Sequence, residues 1–312
     1  MIVDASYKAF YDVRHSPFGF GLDPHFLYLA QSHRTALDLL VRGVNERRPI
    51  MVLTGEIGTG KTTVVHVLRH ELRERVDVVS VVQPLPVSGL VATVINALGG
   101  VPTASRKADL LAELASIVEA RRARGQDVLV VVDEAQALTS AVLAELGGLS
   151  DLVPLLLVGQ PKLDTLLALP ELTRLKQRVA VRATLRPLTQ IETKLYLEHR
   201  LRSVGAPPDF YFPTSVVERI FRHSGGIPRV INHLGHATLL AGSAAKSRRL
   251  TPEIVEQGFL ELVSFDTEPP RRTPPRPWDT RRITRTAQLT VLAVLTGIIG
   301  FALAVVPRGL LP

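Results

Sequence analysis

Gly55-Glu56-Ile57-Gly58-Thr59-Gly60-Lys61-Thr62 has the residue types and spacing of a phosphate-binding loop, G-x-x-x-x-G-K-[ST]. Glycines in such a loop let successive backbone N–H groups turn inward around phosphate oxygens, and the helix that follows adds its positive end. Lys61 is placed to reach the β- and γ-phosphates and the Thr62 hydroxyl to hold Mg²⁺, with Thr63 closing the nucleotide-binding segment. The pattern alone can arise by chance. Here it follows the strand-like IMVLTG (50–55) and opens the helical TTVVHVLRHELRER (62–75), which is the context it requires.

A second chemical element is Asp133-Glu134, at the end of the apolar run DVLVVVDEA (127–135). In a parallel sheet, a carboxylate at a strand's carboxyl end lies on the same edge as the loop that begins at Gly55. Asp133 can then order the Mg²⁺ shell beside Thr62, and Glu134 can polarise a water for attack on the γ-phosphate. The plainer reading, two solvated acids capping a strand, leaves the upstream loop without a catalytic partner. Gln160, in Gly159-Gln160-Pro161, follows the next apolar run and reaches the same edge, where it can bond a γ-phosphate or the attacking water; otherwise it is a turn residue before proline. Arg229, in SGGIPRVINH, starts a helix that a lid could carry onto the phosphates; otherwise it is a surface arginine. His223, His233 and His236 lack the spacing of a metal set and read as helix-face histidines.

These groups need a scaffold, and the pattern around them supplies one. The strand-like runs 50–55, 76–82, 127–135 and 153–160 alternate with helical stretches at 62–75, 90–98 and 108–125, which predicts a parallel sheet covered by helices on both faces. A further helix is expected from Ser32, because Ala36, Leu37, Leu40, Val41 and Val44 recur at helical spacing. From Leu188 the strands stop. Thr189 with Glu192 spells a capping box, Ser215 with Glu218 another, and Thr251-Pro252 a helix start. The division that follows is an N-terminal segment with an adenine-side helix (1–48), a nucleotide-binding αβα domain (49–187) and a helical lid domain (188–265). A Pro/Arg-rich linker (266–286), an apolar helix (287–306) and a short tail (307–312) complete it.

The linker is barred from helix by its prolines. After it, QLTVLAVLTGIIGFALAVV (288–306) carries no charge, and with Ala287 it is long enough to cross about 30 Å of hydrocarbon as a helix. Arg271, Arg272, Arg276, Arg281, Arg282 and Arg285 precede this run and Arg308 follows it, so the positive-inside rule places the nucleotide-binding part in the cytoplasm and the tail outside. The N-terminal MIVDASYKAFYDVRHSPF has no apolar core of secretory length, in keeping with that orientation. Net charge is +8, which favours phosphate, nucleic acid or anionic lipid as partners. The chain has no cysteine, which excludes disulfides and thiolate metal sites.

Taken in order, PFGFGLDPHFLYLAQSHRTAL, VLTGEIGTGKTT, VVVDEAQAL, LLLVGQPKLDTLL, LKQRVAVRATLRPLT and GGIPRVINHL resemble the AAA+ ATPase of the general secretion pathway protein A (ExeA) family, over about residues 7 to 260. The resemblance implies a P-loop αβα sandwich with a helical lid, and ATP held between them and between neighbouring subunits. It makes Gln160 the sensor-1 residue and Arg229 the sensor-2 residue. It puts Arg178 where a trans-acting arginine finger would stand, with Arg174 as the second candidate. It also lays the PF…DPHFLY segment along the adenine side. The activity expected is hydrolysis of MgATP by a ring or filament of subunits on the inner membrane, coupled to assembly or positioning of a secretion or pilus-type envelope complex. Related ATPases regulate DNA transposition, so a DNA-binding regulator is the second reading. Family members often carry a peptidoglycan-binding module beyond the membrane helix. This sequence shows only Pro307–Pro312 there, which puts direct cell-wall binding by this chain in doubt.

Overall fold

The computed structural model describes residues 7–19 and 26–267. Its centre is a parallel sheet of β1 (Ile50–Gly55), β2 (Val76–Val81), β3 (Asp127–Val132), β4 (Leu155–Gly159) and β5 (Val179–Leu185), in the order β2-β3-β4-β1-β5. Every residue of β1 and β4 is buried, as a strand covered on both faces must be. Successive side chains point to opposite faces, so each central strand feeds two cores. Val52, Val130, Val132 and Leu157 pack beneath α4 (Val87–Ala97), α5 (Lys107–Arg122) and α6 (Ser140–Leu149). Leu53, Leu129, Val131 and Val158 pack beneath α2 (Gln31–Asn45) and α3 (Lys61–Leu72).

The register sets the chemistry. Thr54 pairs with Gly159 on one side and Thr184 on the other, while Val132 pairs with Leu157, so Gly55, Asp133 and Gln160 all leave the sheet at one edge. β5 was not among the strands expected. Its sequence VAVRATL alternates, with Arg182 and Thr184 exposed and Ala183 and Leu185 buried, as suits an edge strand covered on one face. Two short helices, α7 (Lys162–Leu167) and α8 (Thr173–Arg178), fill the connection from β4 to β5.

After β5 the chain is helical: α9 (Gln190–Ser203), α10 (Thr214–Ser224), α11 (Pro228–Ala244) and α12 (Pro252–Thr267). The capping box at Thr189 forms, with Thr189 N–H donating to Glu192 at 2.9 Å and Glu192 N–H donating to the Thr189 hydroxyl oxygen at 3.2 Å. The second expected box does not form, because α10 starts one residue before Ser215, at Thr214, behind Pro213. These helices share their core with the start of the chain. Tyr7, Tyr11 of α1 (Lys8–Tyr11), Val13 and Phe18 are buried among Leu197, Phe210, Phe212 and Leu234. The N-terminal segment 7–19 therefore packs into the helices that follow β5, while α2 packs on the sheet.

No helix among the described residues is long and apolar enough to cross a membrane. The expected membrane helix 287–306 and the tail 307–312 lie outside the described residues, as does the linker from 268 onward.

Candidate active site

The loop after β1 is bent through two left-handed glycines, Gly58 (φ 82°) and Gly60 (φ 101°), the second of which is the N-cap of α3. Lys61 folds back over it, its Nζ donating to the carbonyls of Gly55 (2.9 Å) and Glu56 (3.1 Å). Burial lowers the Lys61 pKa below the ordinary lysine value, while Glu134, Asp133 and Glu56 pull it upward. Two outside elements brace the loop. The Arg229 backbone N–H, at the start of α11, donates to Gly58 O at 3.3 Å. His33, on α2, donates from Nε2 to Thr59 O at 2.8 Å. Both approaches exclude a side chain: a Cβ on Gly58 would sit 2.7 Å from Arg229 Cβ, and one on Gly60 2.8 Å from His33 Nε2.

Asp133 and Glu134 emerge where β3 ends. Burial raises the Asp133 carboxyl above the usual carboxylate range, against a hydrogen bond from the Glu134 N–H (2.9 Å) and the charge of Lys61, which lower it. Glu134 itself is left-handed (φ 51°), a conformation that costs a non-glycine residue about 1–3 kcal/mol and clusters at functional sites. Its carboxylate accepts from Gln136 and, at 3.4 Å, from Gln160 Nε2. Thr62 is exposed beside Lys61 at the first turn of α3. A hydroxyl and a carboxylate are the hard oxygen donors Mg²⁺ takes, so Thr62 and Asp133 fit that ion.

A cavity of about 730 Å³ opens between the loop and helices α9 and α11. Its lining includes Ile57, Gly58, Gly60, Lys61, Thr62, Thr63, Glu134 and Arg229, most of the residues singled out from the sequence. Arg229 is exposed there, with no side-chain hydrogen bond or ion pair among the described residues. At the other end stand Phe26, Tyr28, Tyr196 and Arg200. Arg200 is buried on α9; it donates to Pro17 O and Gly19 O and lies 4.3 Å over the Phe26 ring. An aromatic, cationic wall is suited to a purine base.

His33, Gln136 and Arg200 escaped the sequence reading. His33 and Arg200 are single polar residues on helices, and only the tertiary fold buries them against backbone carbonyls. Gln136 did carry a signal, two residues beyond Glu134 in the quoted VVVDEAQAL.

Arg178 stands apart from the cavity. At the end of α8 it is bound by its own chain at the carboxyl end of α6, donating to Gly147 O and Ser150 Oγ (2.9 Å) and pairing with Asp151 (2.7 Å). There a cation also meets the negative end of the helix dipole. Arg174, on the same short helix, is exposed and has no ion pair among the described residues.

A family model described as "AAA domain" matches residues 44–167. General secretion pathway protein A of Aeromonas hydrophila is 32% identical over 269 residues, 83% of this chain and 48% of that protein. The chain is an ExeA-like AAA+ ATPase. It spans about half the length of the curated relative it matches. Among solved structures, Cdc6p of Pyrobaculum aerophilum aligns with a TM-score of 0.61 at 19% identity, over 81% of this chain and 74% of that one. The Aeropyrum pernix ORC1 protein, solved in complex with DNA, aligns with a TM-score of 0.57 at 18% identity, over 77% and 68%. At these identities the likeness bears on the fold alone, a parallel-sheet α/β P-loop fold.

Proposed function

We propose that this ATPase binds MgATP in the cavity between loop and lid and uses its turnover to drive oligomer changes at the inner membrane, assembling or positioning an envelope secretion or pilus-type complex. The observation that carries this reading is the identity to general secretion pathway protein A, which extends over most of the chain and reaches far beyond the phosphate loop. The apolar run 287–306 with its preceding arginines supports a single-pass anchor, with the ATPase on the cytoplasmic side.

In this reading the loop N–H groups and Lys61 hold the phosphates, and Arg229 reaches them from the lid. Thr62 and Asp133 hold Mg²⁺, which supplies charge neutralisation on the phosphate oxygens. Glu134 accepts a proton from the attacking water as its oxygen bonds to the γ-phosphorus. The bond from that phosphorus to the β–γ bridging oxygen breaks, and the electron pair leaves on ADP. Gln160, hydrogen-bonded to Glu134, keeps the water or the γ-phosphate aligned.

The second reading, a DNA-dependent regulator, has the +8 charge in its favour. Turnover by residues 1–266, measured against protein concentration with and without duplex DNA, separates the two. Turnover that rises with protein concentration and ignores DNA supports the membrane-complex reading. Strong stimulation by DNA that fades with salt supports the other. Carbonate washing of membranes carrying the full chain tests the anchor: extraction into the wash rejects it.

A further inference from the structure

Glu134 does not stand alone at the end of β3; a neighbour two residues on fixes how its carboxylate is presented. The left-handed turn at Glu134 leads into a single 3-10 turn, Ala135–Ala137, which brings the Gln136 side chain back alongside the sheet edge. There its Oε1 accepts the Gln160 backbone N–H at 3.0 Å. A backbone N–H can only donate, so the amide oxygen must face Gln160 and the amide nitrogen must face the other way. That nitrogen donates to Glu134 Oε2. Gly159 makes room for the arrangement: a Cβ there would lie 2.6 Å from Gln136 Oε1. Gln160 Nε2 adds a longer bond to the same carboxylate oxygen, at 3.4 Å. Glu134 Oε1 has no donor among the described residues.

From this geometry we infer that Gln136 is a positioning residue for hydrolysis, orienting Glu134 through Oε2 so that Oε1 is left to take the proton from water, and tying that orientation to the end of β4. The inference rests on the reading of Glu134 as the base. Gln136 acts through Glu134 and does not itself touch the reacting atoms. Its two ends are not interchangeable, because the acceptor end secures the side chain to β4 and the donor end aims the carboxylate.

The test uses the full chain in detergent. Gln136→Glu keeps an acceptor for the Gln160 N–H but sets a carboxylate oxygen against Glu134, whereas Gln136→Met removes both ends at similar length. Binding of ATP is measured separately from steady-state turnover, and thermal unfolding reports on folding. The expected result for Gln136→Glu is a loss in kcat on the order of 10²-fold, with KM and nucleotide affinity within about twofold and unfolding as in wild type. Gln136→Met should lose kcat in the same direction, and it carries the test if the glutamate variant fails to fold. Wild-type kcat in a folded variant, or a loss confined to KM, overturns the inference. Glu134→Gln, run alongside, separates the two levels. If it turns over at the wild-type rate, both the base assignment and this inference fall; if it is inactive while both Gln136 variants are active, only this inference falls.

Discussion

At the scale of single residues, the site combines groups held against their own solvation. Asp133 is an example: burial raises its carboxyl pKa, so ionising it in the folded protein is harder than in the unfolded chain. The folded state therefore binds more protons from the unfolded value of about 3.8 upward, and stability falls as pH rises through that window and stays reduced at neutral pH. Asp133→Asn removes this penalty while keeping an oxygen for the Glu134 N–H. It should raise the Tm of the nucleotide-free protein by up to a few degrees and abolish Mg²⁺-dependent turnover, a trade between stability and function that calorimetry and a phosphate-release assay would check. His33 has the opposite sign. Burial lowers its pKa below 6.5, and its Nδ1 is buried with no partner among the described residues, so protonation disfavours the folded state. Stability should be full above about pH 6.5 and decline as pH falls toward the folded pKa. His33→Gln, which can still donate to Thr59 O, should flatten that decline in a pH series of urea unfolding, leaving the part due to His199, whose pKa is likewise lowered by burial. The phosphate loop, Asp133, Glu134 and Gln160 were legible because each follows an apolar strand and carries chemistry in its own type. His33 was not legible, because nothing in a helix reading Gln-Ser-His-Arg tells that its third residue reaches a carbonyl 26 positions away.

At the scale of elements, the alternation of strands and helices was readable from β-branched runs, and the fifth strand was missed because Arg182 breaks its apolar character. What spacing could not show is how the lid helices are fastened to the loop. The bond that reaches the loop is Arg229 N–H to Gly58 O, and the Gly225-Gly226 turn between α10 and α11 is what sets the start of α11. Leu188 N–H donates to Gly226 O at 2.8 Å, and a Cβ on Gly226 would lie 2.0 Å from Leu188 O. Both glycines are left-handed, with φ of 57° and 77°, so alanine costs each about 1–2 kcal/mol in backbone conformation. Only Gly226 faces a second, steric cost, since nothing lies within 4 Å of a Cβ on Gly225. Gly225→Ala should accordingly lower the Tm slightly and leave nucleotide affinity intact. Gly226→Ala should lower the Tm much further and weaken ATP binding, because displacing this turn moves the start of α11 and with it Arg229 off Gly58. Equal effects from the two substitutions would show that the turn does not join the lid to the loop.

At the scale of the whole molecule, the resemblance implies that one subunit completes another's site. The resemblance put the trans-acting arginine at Arg178, yet this residue spends its guanidinium on Gly147, Ser150 and Asp151 of its own chain. To serve a neighbour it would have to leave the carboxyl end of α6 uncapped, whereas Arg174 is exposed and carries no ion pair among the described residues. Mixed oligomers can tell them apart. Glu134→Gln subunits keep both arginines but cannot hydrolyse ATP, and Arg174→Ala subunits keep Glu134 but cannot assist a neighbour. If Arg174 acts in trans, each variant alone is nearly inactive, and the mixture recovers turnover with a maximum at an intermediate ratio, because an arginine finger is worth about 10³–10⁵ in rate. The same mixing with Arg178→Ala should give no such maximum, and that variant should lose thermal stability, because three groups at the end of α6 lose their partner. Recovery with Arg178→Ala instead would return the role to the residue the resemblance named. Recovery with neither would mean that neither Arg174 nor Arg178 acts on a neighbour's site.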